Sequence, residues 1–527
     1  SCSSRPSFLT PLRLTAKMPI RPDDSPLEDR KPCCAALGGG LDPNWIDNFM
    51  MKILSREYDD AREVLRNAVM RGAGDRVAQE YSKVLEEFLQ KRDEVENPKL
   101  QATFGACALK ESEDSRGNGL KAATYVPWGA ELWRQRPLAY VQSPVSRKCV
   151  QVCCACLVPV GTLATQLSYQ GLPVPAGAEE LKMREGASPP LACSMGCGEV
   201  FCGEACRSWA AEFSPHAILC HGRLLPAQRE SLEALNTLAT DADQEHLLLL
   251  AHHVAAMVLQ RRTGVELSEV LRRYVQQFAS QPWDSLASET VEDDTPGRRR
   301  ELLAEAAAHL HALFKDEELA APFLKMDVLS SMMGTYELVN MCISIYHPLN
   351  VYKERLLDLL PSESLASINA AQRCVDDDEE EDEEDEAGAA DAAEEEAVQD
   401  QSAAAAEVQA EAKEAARQGA LFANVVGTSL IEALSFMNHS CLPNARIDFS
   451  TSTSPDVTGP GLWVYSVSRR PIIPGDEVMM SYVPSVVGKP LEVRQKKMKK
   501  FGFECRCRCC VTDFMLEAEE EAERRGL

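Results

Sequence analysis

The feature that most constrains the fold is a series of closely spaced cysteines in the middle of the chain. Of the 20 cysteines in the sequence, nine lie between residues 149 and 220. Four short pairs follow one another there: Cys153 with Cys156, Cys193 with Cys197, Cys202 with Cys206, and His216 with Cys220. A short pair lets two side chains reach one ion from a single turn, and tetrahedral zinc takes two such pairs. The spacing therefore predicts two structural zinc sites.

A second group of cysteines lies near the C-terminal end. Cys505, Cys507 and Cys510 supply three thiolates, one fewer than a closed zinc site needs. Cys441 is the natural fourth ligand, and Cys509 is an alternative to Cys510. In the first group, Cys149 and Cys154 are alternatives to members of the first pair. Because secreted disulfide proteins are usually short, so many cysteines in 527 residues favour metal binding in a reducing compartment.

Length and charge set further limits. A chain of 527 residues with 45% hydrophobic residues predicts two or three globular domains. No run of 18 apolar residues is present, so we expect no membrane partner. The net charge is -26, but sixteen acidic residues between Asp376 and Asp400 leave about -10 for the rest. This balance argues against non-specific coating of nucleic acid, and we expect no sequence-specific nucleic-acid binding.

The start of the sequence allows two interpretations of cellular location. Residues 1–22 hold four basic residues and no acid, which is typical of an organellar transit peptide. Alternatively, Met18 is the first residue of the protein and the segment is an untargeted leader. A leader without targeting function leaves nuclear and/or cytoplasmic localisation as our expectation.

Composition and patterning predict a mixed α/β (α+β) fold with nine segments. We expect a disordered leader at 1–42, a helical N-terminal extension at 43–100, the first part of a β-rich core at 101–142, a zinc module at 149–222, a helical insertion at 225–350, an acidic low-complexity insert at 374–417, the rest of the core at 418–486, a second cysteine segment at 487–511 and a charged tail at 512–527. The acidic insert is either a solvated linker or a binding segment for basic partners.

Apolar periodicity makes several specific predictions. Residues 44–94 read as one helical hairpin broken near Gly72. A helix is expected from Met326 to Ile345, with Asn340 inside it. His252 and His253 fall in another predicted helix, where we expect surface or capping positions.

Four motifs in a fixed order carry the chemistry. They are Arg116-Gly117-Asn118-Gly119-Leu120, Phe436-Met437-Asn438-His439-Ser440-Cys441-Leu442-Pro443-Asn444, Gly475-Asp476-Glu477 with Ser481-Tyr482, and Phe501-Gly502-Phe503-Glu504-Cys505. In this order they resemble the SET-and-MYND-domain protein lysine methyltransferases, in particular the plant trithorax-related MYND-containing type. The resemblance implies a β-rich SET fold split by a MYND zinc module and a helical insertion, with a zinc-binding post-SET segment.

The resemblance also implies roles for individual residues. Tyr482 would be the catalytic tyrosine beside the transferred methyl group. The cofactor S-adenosyl-L-methionine would be bound by Arg116, Asn118, Gly119, Asn340, Ser435, Asn438, His439 and Phe503. Three zinc ions would be held by Cys153, Cys156, Cys202 and Cys206, by Cys193, Cys197, His216 and Cys220, and by Cys441, Cys505, Cys507 and Cys510. Two departures from the family pattern are the wider spacing of Cys193 and Cys197 and the long spacer 157–192.

The function that follows is S-adenosylmethionine-dependent lysine N-methylation of a protein, with a histone tail as the substrate that the family suggests. A non-histone substrate such as a ribosomal protein is an alternative. Another is a weakly active adaptor that binds peptide partners through its MYND module. Because the nucleophile must be a neutral amine and a free lysine has a pKa of about 10.4, such an enzyme must desolvate and orient its substrate lysine.

Overall fold

The computed structural model describes residues 41–42, 44–54, 58–96, 103–111, 118–183, 189–287, 294–361, 364–365, 367–368, 421–451, 460–499, 501 and 503–525. All of them belong to one unit, Gly39–Leu527. Most of the predicted leader, the whole acidic insert and Arg116 lie outside the described residues.

Three helices begin the described part of the chain: α1 (Trp45–Leu54), α2 (Tyr58–Met70) and α3 (Asp75–Glu96). The break near Gly72 lies where the apolar spacing predicts it. The prediction of a single hairpin is wrong, because a further break separates α1 from α2 although no glycine or proline marks it. The helices share a buried core that contains Phe49, Leu65 and Leu85.

Five short strands follow: β1 (Thr103–Phe104), β2 (Cys107–Glu111), β3 (Asn118–Ala122), β4 (Glu131–Gln135) and β5 (Ala139–Gln142). The first three form an antiparallel sheet in the order β1-β2-β3. Asn118 and Gly119, which the resemblance assigns to the cofactor site, begin β3 and pair with Glu111 and Lys110.

Little regular structure occurs in the next segment. Its elements are α4 (Pro144–Cys149), α5 (Leu163–Tyr169), β6 (Leu191–Ala192), β7 (Val200–Phe201), α6 (Glu204–Phe213) and α7 (His216–Leu219). The guanidinium of Arg136 lies 4.5 Å from the ring of Trp209 and 4.8 Å from that of Trp463. The Tyr140 hydroxyl donates a 2.6 Å hydrogen bond to the carbonyl of Ala155. These contacts join the cysteine-rich segment to the strands on either side of it.

A helical region comes next: α8 (Pro226–Asp241), α9 (His246–Arg262), α10 (Leu267–Leu271), α11 (Pro296–Leu313) and α12 (Met326–Val339). A short π-helical stretch, Arg272–Gln276, follows α10. Helix α9 is central, because twelve of its residues are buried. An apolar helix of this kind has no solvent face, which explains why the expectation for His253 is wrong. Its side chain is buried, and Nδ1 lies 2.7 Å from the Tyr336 hydroxyl.

Burial makes two histidines sensitive to acid. It lowers the pKa of His253 and that of His347 to about 3. The unfolded chain, with a histidine pKa of about 6.5, therefore binds more protons than the folded chain below that pH. The stability that the neutral rings contribute is fully present above pH 6.5 and is lost as the pH falls towards 3. We expect the melting temperature to drop between pH 7 and pH 4.5.

A substitution separates this contribution from other acid effects. His253→Leu leaves the Tyr336 hydroxyl without its partner and should lower the free energy of unfolding by about 1–3 kcal/mol at pH 7. Its melting temperature should nevertheless depend less on pH than that of the wild type. His311→Leu, at an exposed position of α11, is the matched control and should keep the wild-type pH dependence. Parallel curves for His253→Leu and wild type would contradict this account.

The remaining elements are β8 (Met341–Ile345), α13 (Lys353–Leu359), β9 (Val425–Leu430), β10 (Asn438–His439), β11 (Ala445–Thr451), β12 (Leu462–Ser468), β13 (Met479–Met480), α14 (Leu491–Lys499) and α15 (Arg508–Arg525). The predicted helix to Ile345 is wrong after Val339, because residues 341–345 pair antiparallel with β9. Asn340 accordingly caps α12 rather than lying inside a helix.

Two sheets join strands that precede the cysteine-rich segment to strands that follow the acidic insert. Strand β5 pairs with β9 in a sheet of order β5-β9-β8, and β4 pairs with β12 in a sheet of order β11-β12-β4. A separate two-stranded sheet pairs β10 with β13 in parallel. The prediction of a mixed α/β fold with a β-rich core is confirmed. Among the described helices, none is both long and apolar enough to cross a bilayer.

Candidate active site and metal centres

The first centre joins the earliest cysteine pair to the third. Cys153 and Cys156 lie in a tight turn, while Cys202 follows β7 and Cys206 lies in the first turns of α6. All four thiols are buried, and their sulfur atoms lie within 4.8 Å of one another. Tetrahedral zinc, with Zn–S bonds of about 2.3 Å, holds its sulfur ligands about 3.8 Å apart. The Cys156–Cys202 and Cys202–Cys206 distances of 3.8 and 3.5 Å fit that geometry.

The second centre contains the histidine. Cys193 Sγ lies 3.4 Å from His216 Nε2 and 3.7 Å from Cys220 Sγ, and Cys197 Sγ lies 3.9 Å from the same nitrogen. Burial lowers the pKa of His216, which favours the neutral imidazole that metals require. These four residues can therefore hold one metal ion.

The two alternative ligands lie outside the four-residue groups. Cys154 Sγ lies 3.6 Å from Nδ1 of His216, the ring nitrogen that does not face the other thiols. A contact of this kind orients a ligating imidazole from behind. Cys149 packs in a separate apolar cluster with Val150 and Val152. Neither cysteine replaces a member of the first pair.

The third centre joins Cys441 to three thiols near the C-terminal end. Its sulfur lies 3.7 Å from that of Cys505 and 3.6 Å from that of Cys510, again as tetrahedral zinc requires. Cys507 completes the group. Hydrogen bonds with the thiols of Cys441 and then Cys510 lower the pKa of Cys507 to about 5, which favours the thiolate that binds metal. Cys509 is turned away, and its sulfur accepts a 2.9 Å hydrogen bond from Arg494.

One histidine connects this third centre to the candidate catalytic tyrosine. Nδ1 of His439 accepts a 3.0 Å hydrogen bond from the backbone N–H of Tyr482. The ring proton must then lie on Nε2, which is 3.2 Å from the sulfur of Cys441. His439 therefore contacts both the backbone of Tyr482 and the group of thiols.

The candidate cofactor cradle lies where β3 meets the segment before β13. Backbone hydrogen bonds join Val478 to Leu120, and Glu477 pairs with Lys121. A Cβ on Gly119 would lie 2.8 Å from Oε1 of Glu477 and 3.1 Å from Nδ2 of Asn438, so any larger residue there would displace one of these side chains. The Asn438 amide itself donates a 2.6 Å hydrogen bond to Glu477. Gly119 and Asn438, far apart in sequence, are thus brought together.

Aromatic rings surround Tyr482. Its ring centroid lies 5.3 Å from that of His439, 5.4 Å from that of Phe501 and 6.3 Å from that of Phe503. Its hydroxyl donates a 3.1 Å hydrogen bond to the carbonyl of Met437, directly before Asn438. Phe503, a predicted cofactor residue, therefore lies beside the candidate catalytic tyrosine.

Three other predicted cofactor residues make different contacts from those of Gly119 and Asn438. Asn118 is exposed at the start of β3. The Ser435 hydroxyl donates a 2.8 Å hydrogen bond to the carbonyl of Ile431, within its own turn. The Asn340 amide contacts Thr428 at 2.9 Å and the His246 ring at 2.7 Å. Neither of these two partners is a predicted cofactor residue.

Sequence reasoning missed three residues of the site. Glu477 and Phe501 belong to two of the motifs, but the sequence assigns no role to either. Asn444 had none either, although its amide donates to the carbonyl of Glu477 and accepts from the N–H of Met479. The spacing of Phe501 and Phe503 was the available signal, because residues two apart in an extended segment share one side.

Comparisons with known proteins identify one matching domain family and several similar proteins. The SET domain family profile matches residues 276–483. Histone-lysine N-methyltransferase ATXR2 of Arabidopsis thaliana is 25% identical over 348 residues, which cover 62% of this chain and 63% of that protein. A SET and MYND domain-containing protein of Dictyostelium discoideum is 32% identical over 92 residues, or 17% of this chain and 24% of that protein. Histone-lysine N-methyltransferase ASHR2 of Arabidopsis thaliana is 37% identical over 91 residues, or 17% of this chain and 21% of that protein.

These matches cover only part of each relative and only part of this chain. The chain matches less than two thirds of the length of each of these relatives. Strands β4 and β5 lie before the matched SET range, yet they pair with β12 and β9 inside it. Residues 276–483 therefore match a SET domain, and the chain resembles the SET-and-MYND-domain protein lysine methyltransferases, including the plant trithorax-related type.

Proposed function

We propose that the protein is an S-adenosylmethionine-dependent protein lysine N-methyltransferase with three structural zinc ions. The observation that carries the proposal is the meeting of Gly119, Asn438, His439 and Tyr482 in one place, from segments more than 300 residues apart. The SET domain match supports the reaction class. The names of the two plant relatives support a histone tail as the substrate.

The residues present fit the proposed cofactor. Gly119 lies against the Asn438 amide, where a cofactor would be held, and the Phe503 ring offers an apolar wall for a purine. When bound, S-adenosylmethionine supplies a methyl group on a sulfonium, which an amine accepts by in-line displacement without a covalent enzyme intermediate. The contribution of the protein is then mainly alignment, which can lower the barrier by several kcal/mol.

Where the substrate lysine would bind, the Tyr482 hydroxyl and the carbonyl of Met437 form a polar pair. The rings of Phe501 and Phe503 lie next to this pair. Apolar walls desolvate a lysine and lower its pKa from about 10.4, which favours the neutral nucleophile. The Tyr482 oxygen, held by Met437, can orient that amine. This is preorganisation of dipoles around the reacting atoms.

The metal centres have a structural role in this proposal. Each has four protein ligands, which leaves tetrahedral zinc without an open position for substrate. The first two centres would hold the segment 149–222 together. That segment would then offer a surface for peptide partners. The third would hold the post-SET residues against the active site.

A labelled-methyl transfer assay tests the function. Purified protein should transfer labelled methyl groups from S-adenosylmethionine to lysines of core histones. Labelling of another protein in a cell lysate, with histones unlabelled, would replace the histone substrate but keep the enzyme class. Absence of S-adenosylmethionine binding in calorimetry would contradict the proposal and favour a peptide-binding adaptor.

A glycine substitution tests the cradle itself. Gly119→Ala introduces a methyl group 2.8 Å from Glu477 Oε1, so Glu477 or Asn438 must shift. We expect the dissociation constant for S-adenosylmethionine, measured by calorimetry, to rise at least about tenfold. Gly74→Ala is the matched control, because a Cβ there meets nothing within 4 Å. Equal affinities of Gly119→Ala and wild type would place the cofactor elsewhere.

A further inference from the structure

We propose that helices α1–α3 form part of the cofactor pocket by holding the turn before Glu477, with Arg66 as the positioning residue. This inference rests on the proposed function and extends it to a segment outside the SET match. Neither the cysteine spacing nor the motifs assign any role to these helices.

Polar contacts join α2 to the turn. Nη2 and Nε of Arg66 lie 2.5 and 3.2 Å from the two carboxylate oxygens of Asp476, a two-pronged pairing. Nη1 of Arg66 contacts Glu63 in its own helix. This contact orients the guanidinium towards Asp476. Arg62, one turn earlier, donates a 3.0 Å hydrogen bond to the carbonyl of Gly475. The Asp476 side chain is only 12% exposed, so solvent screens the pairing weakly.

Apolar packing reinforces the same contact. Ile473, at the start of the turn, is 1% exposed and belongs to the core of the three helices. A Cβ on Gly475 would lie 3.2 Å from Cδ1 of Leu89 and 3.1 Å from Nη1 of Arg62. The turn therefore lies directly against the helices.

A second attachment joins α3 to the chain that follows β3. The Tyr125 hydroxyl donates a 3.1 Å hydrogen bond to Asp75, and its backbone N–H donates a 3.0 Å hydrogen bond to Glu86. Tyr125 lies just after β3. Both chain segments that build the cradle are thus tied to the same helical unit.

The turn leads directly into the cradle. The N–H of Gly475 donates to the carbonyl of Ala122, and the N–H of Ala122 donates to the carbonyl of Asp476, both at 2.8 Å. The next residue, Glu477, accepts the Asn438 amide at 2.6 Å and lies against Gly119. Release of Asp476 would therefore let Glu477 and Asn438 move relative to β3. A misplacement of about 1 Å can change affinity or rate by up to about a hundredfold.

Calorimetry and steady-state kinetics on the full chain test the inference. For Arg66→Gln we expect the dissociation constant and KM for S-adenosylmethionine to rise about tenfold. The kcat at saturating cofactor and the KM for the protein substrate should stay within about twofold, because the lysine side of the site is untouched. Arg66→Lys keeps the positive charge but cannot make both contacts with the Asp476 carboxylate, so it should restore only part of the affinity. Arg76→Gln, exposed on α3, is the matched control and should behave as wild type.

A double-mutant cycle separates positioning from general destabilisation. Asp476→Asn preserves shape and should weaken cofactor binding as Arg66→Gln does, while the double variant should be no worse than either single one. If Arg66→Gln does not fold, Asp476→Asn carries the test alone. Wild-type affinity in Arg66→Gln or Asp476→Asn, or additive losses in the cycle, would overturn the inference. Failure of the wild type to bind the cofactor would instead overturn the proposed function, and the inference with it.

Discussion

Tyr482→Phe is expected to lower the rate of methyl transfer at saturating substrates by about a hundredfold or more. The change removes only the hydroxyl, which donates to the carbonyl of Met437. The backbone contact with His439 and the surrounding rings remain, so the fold and the affinity for S-adenosylmethionine should change little. A large fall in kcat with an almost constant cofactor dissociation constant is the signature of a group that acts mainly in the transition state.

The matched control for this experiment is Tyr465→Phe. Tyr465 lies half-buried in β12, with the guanidinium of Arg134 5.0 Å from its ring, away from the cradle. Its loss of a hydroxyl should leave the labelling rate unchanged. If Tyr482→Phe labels protein as fast as wild type does, Tyr482 is not the catalytic residue.

The second large effect is expected from the third metal centre. Cys505→Ala removes one of its four ligands, and we expect the zinc content of purified protein to fall from about three to about two ions per chain. Methyl transfer should fall by at least about tenfold, because Cys441 would no longer be held and its contact with His439 supports Tyr482. The melting temperature should fall as well, since a structural metal contributes directly to folding free energy.

Cys509→Ser provides the control for this centre. Cys509 neighbours a ligand in sequence, but its sulfur is bound by Arg494 and lies outside the group of four. Serine keeps an acceptor for Arg494, so the zinc content should remain at about three. Loss of zinc in Cys509→Ser with retention in Cys510→Ser would reverse the choice between these two thiols.

The resemblance to the family predicted the grouping of the candidate metal ligands, and the structure brings the same three sets of residues together. The motifs likewise predicted that Gly119, Asn438 and Tyr482 would converge. These inferences needed no knowledge of the long-range packing.

Features that depend on partners remote in the sequence could not be predicted. Residues 341–345 have an apolar spacing that continues the preceding helix, and only their pairing with β9 makes them a strand. His253 looked like a surface residue because its hydrogen-bond partner, Tyr336, lies 83 residues away. The contact of Arg66 with Asp476 spans 410 residues and has no local signal at all.

The pairing of β4 with β12 and of β5 with β9 has a consequence during synthesis on the ribosome. Strands completed by residue 142 find their neighbours only when residues 425–468 have been made. Closing such long loops carries a large entropic penalty and slows folding. Until then β4 and β5 have exposed edges that favour aggregation, whereas the ligand pairs of the first two metal centres are already complete. We therefore expect nascent chains that stop before residue 425 to need chaperones, even where zinc has already ordered their middle segment.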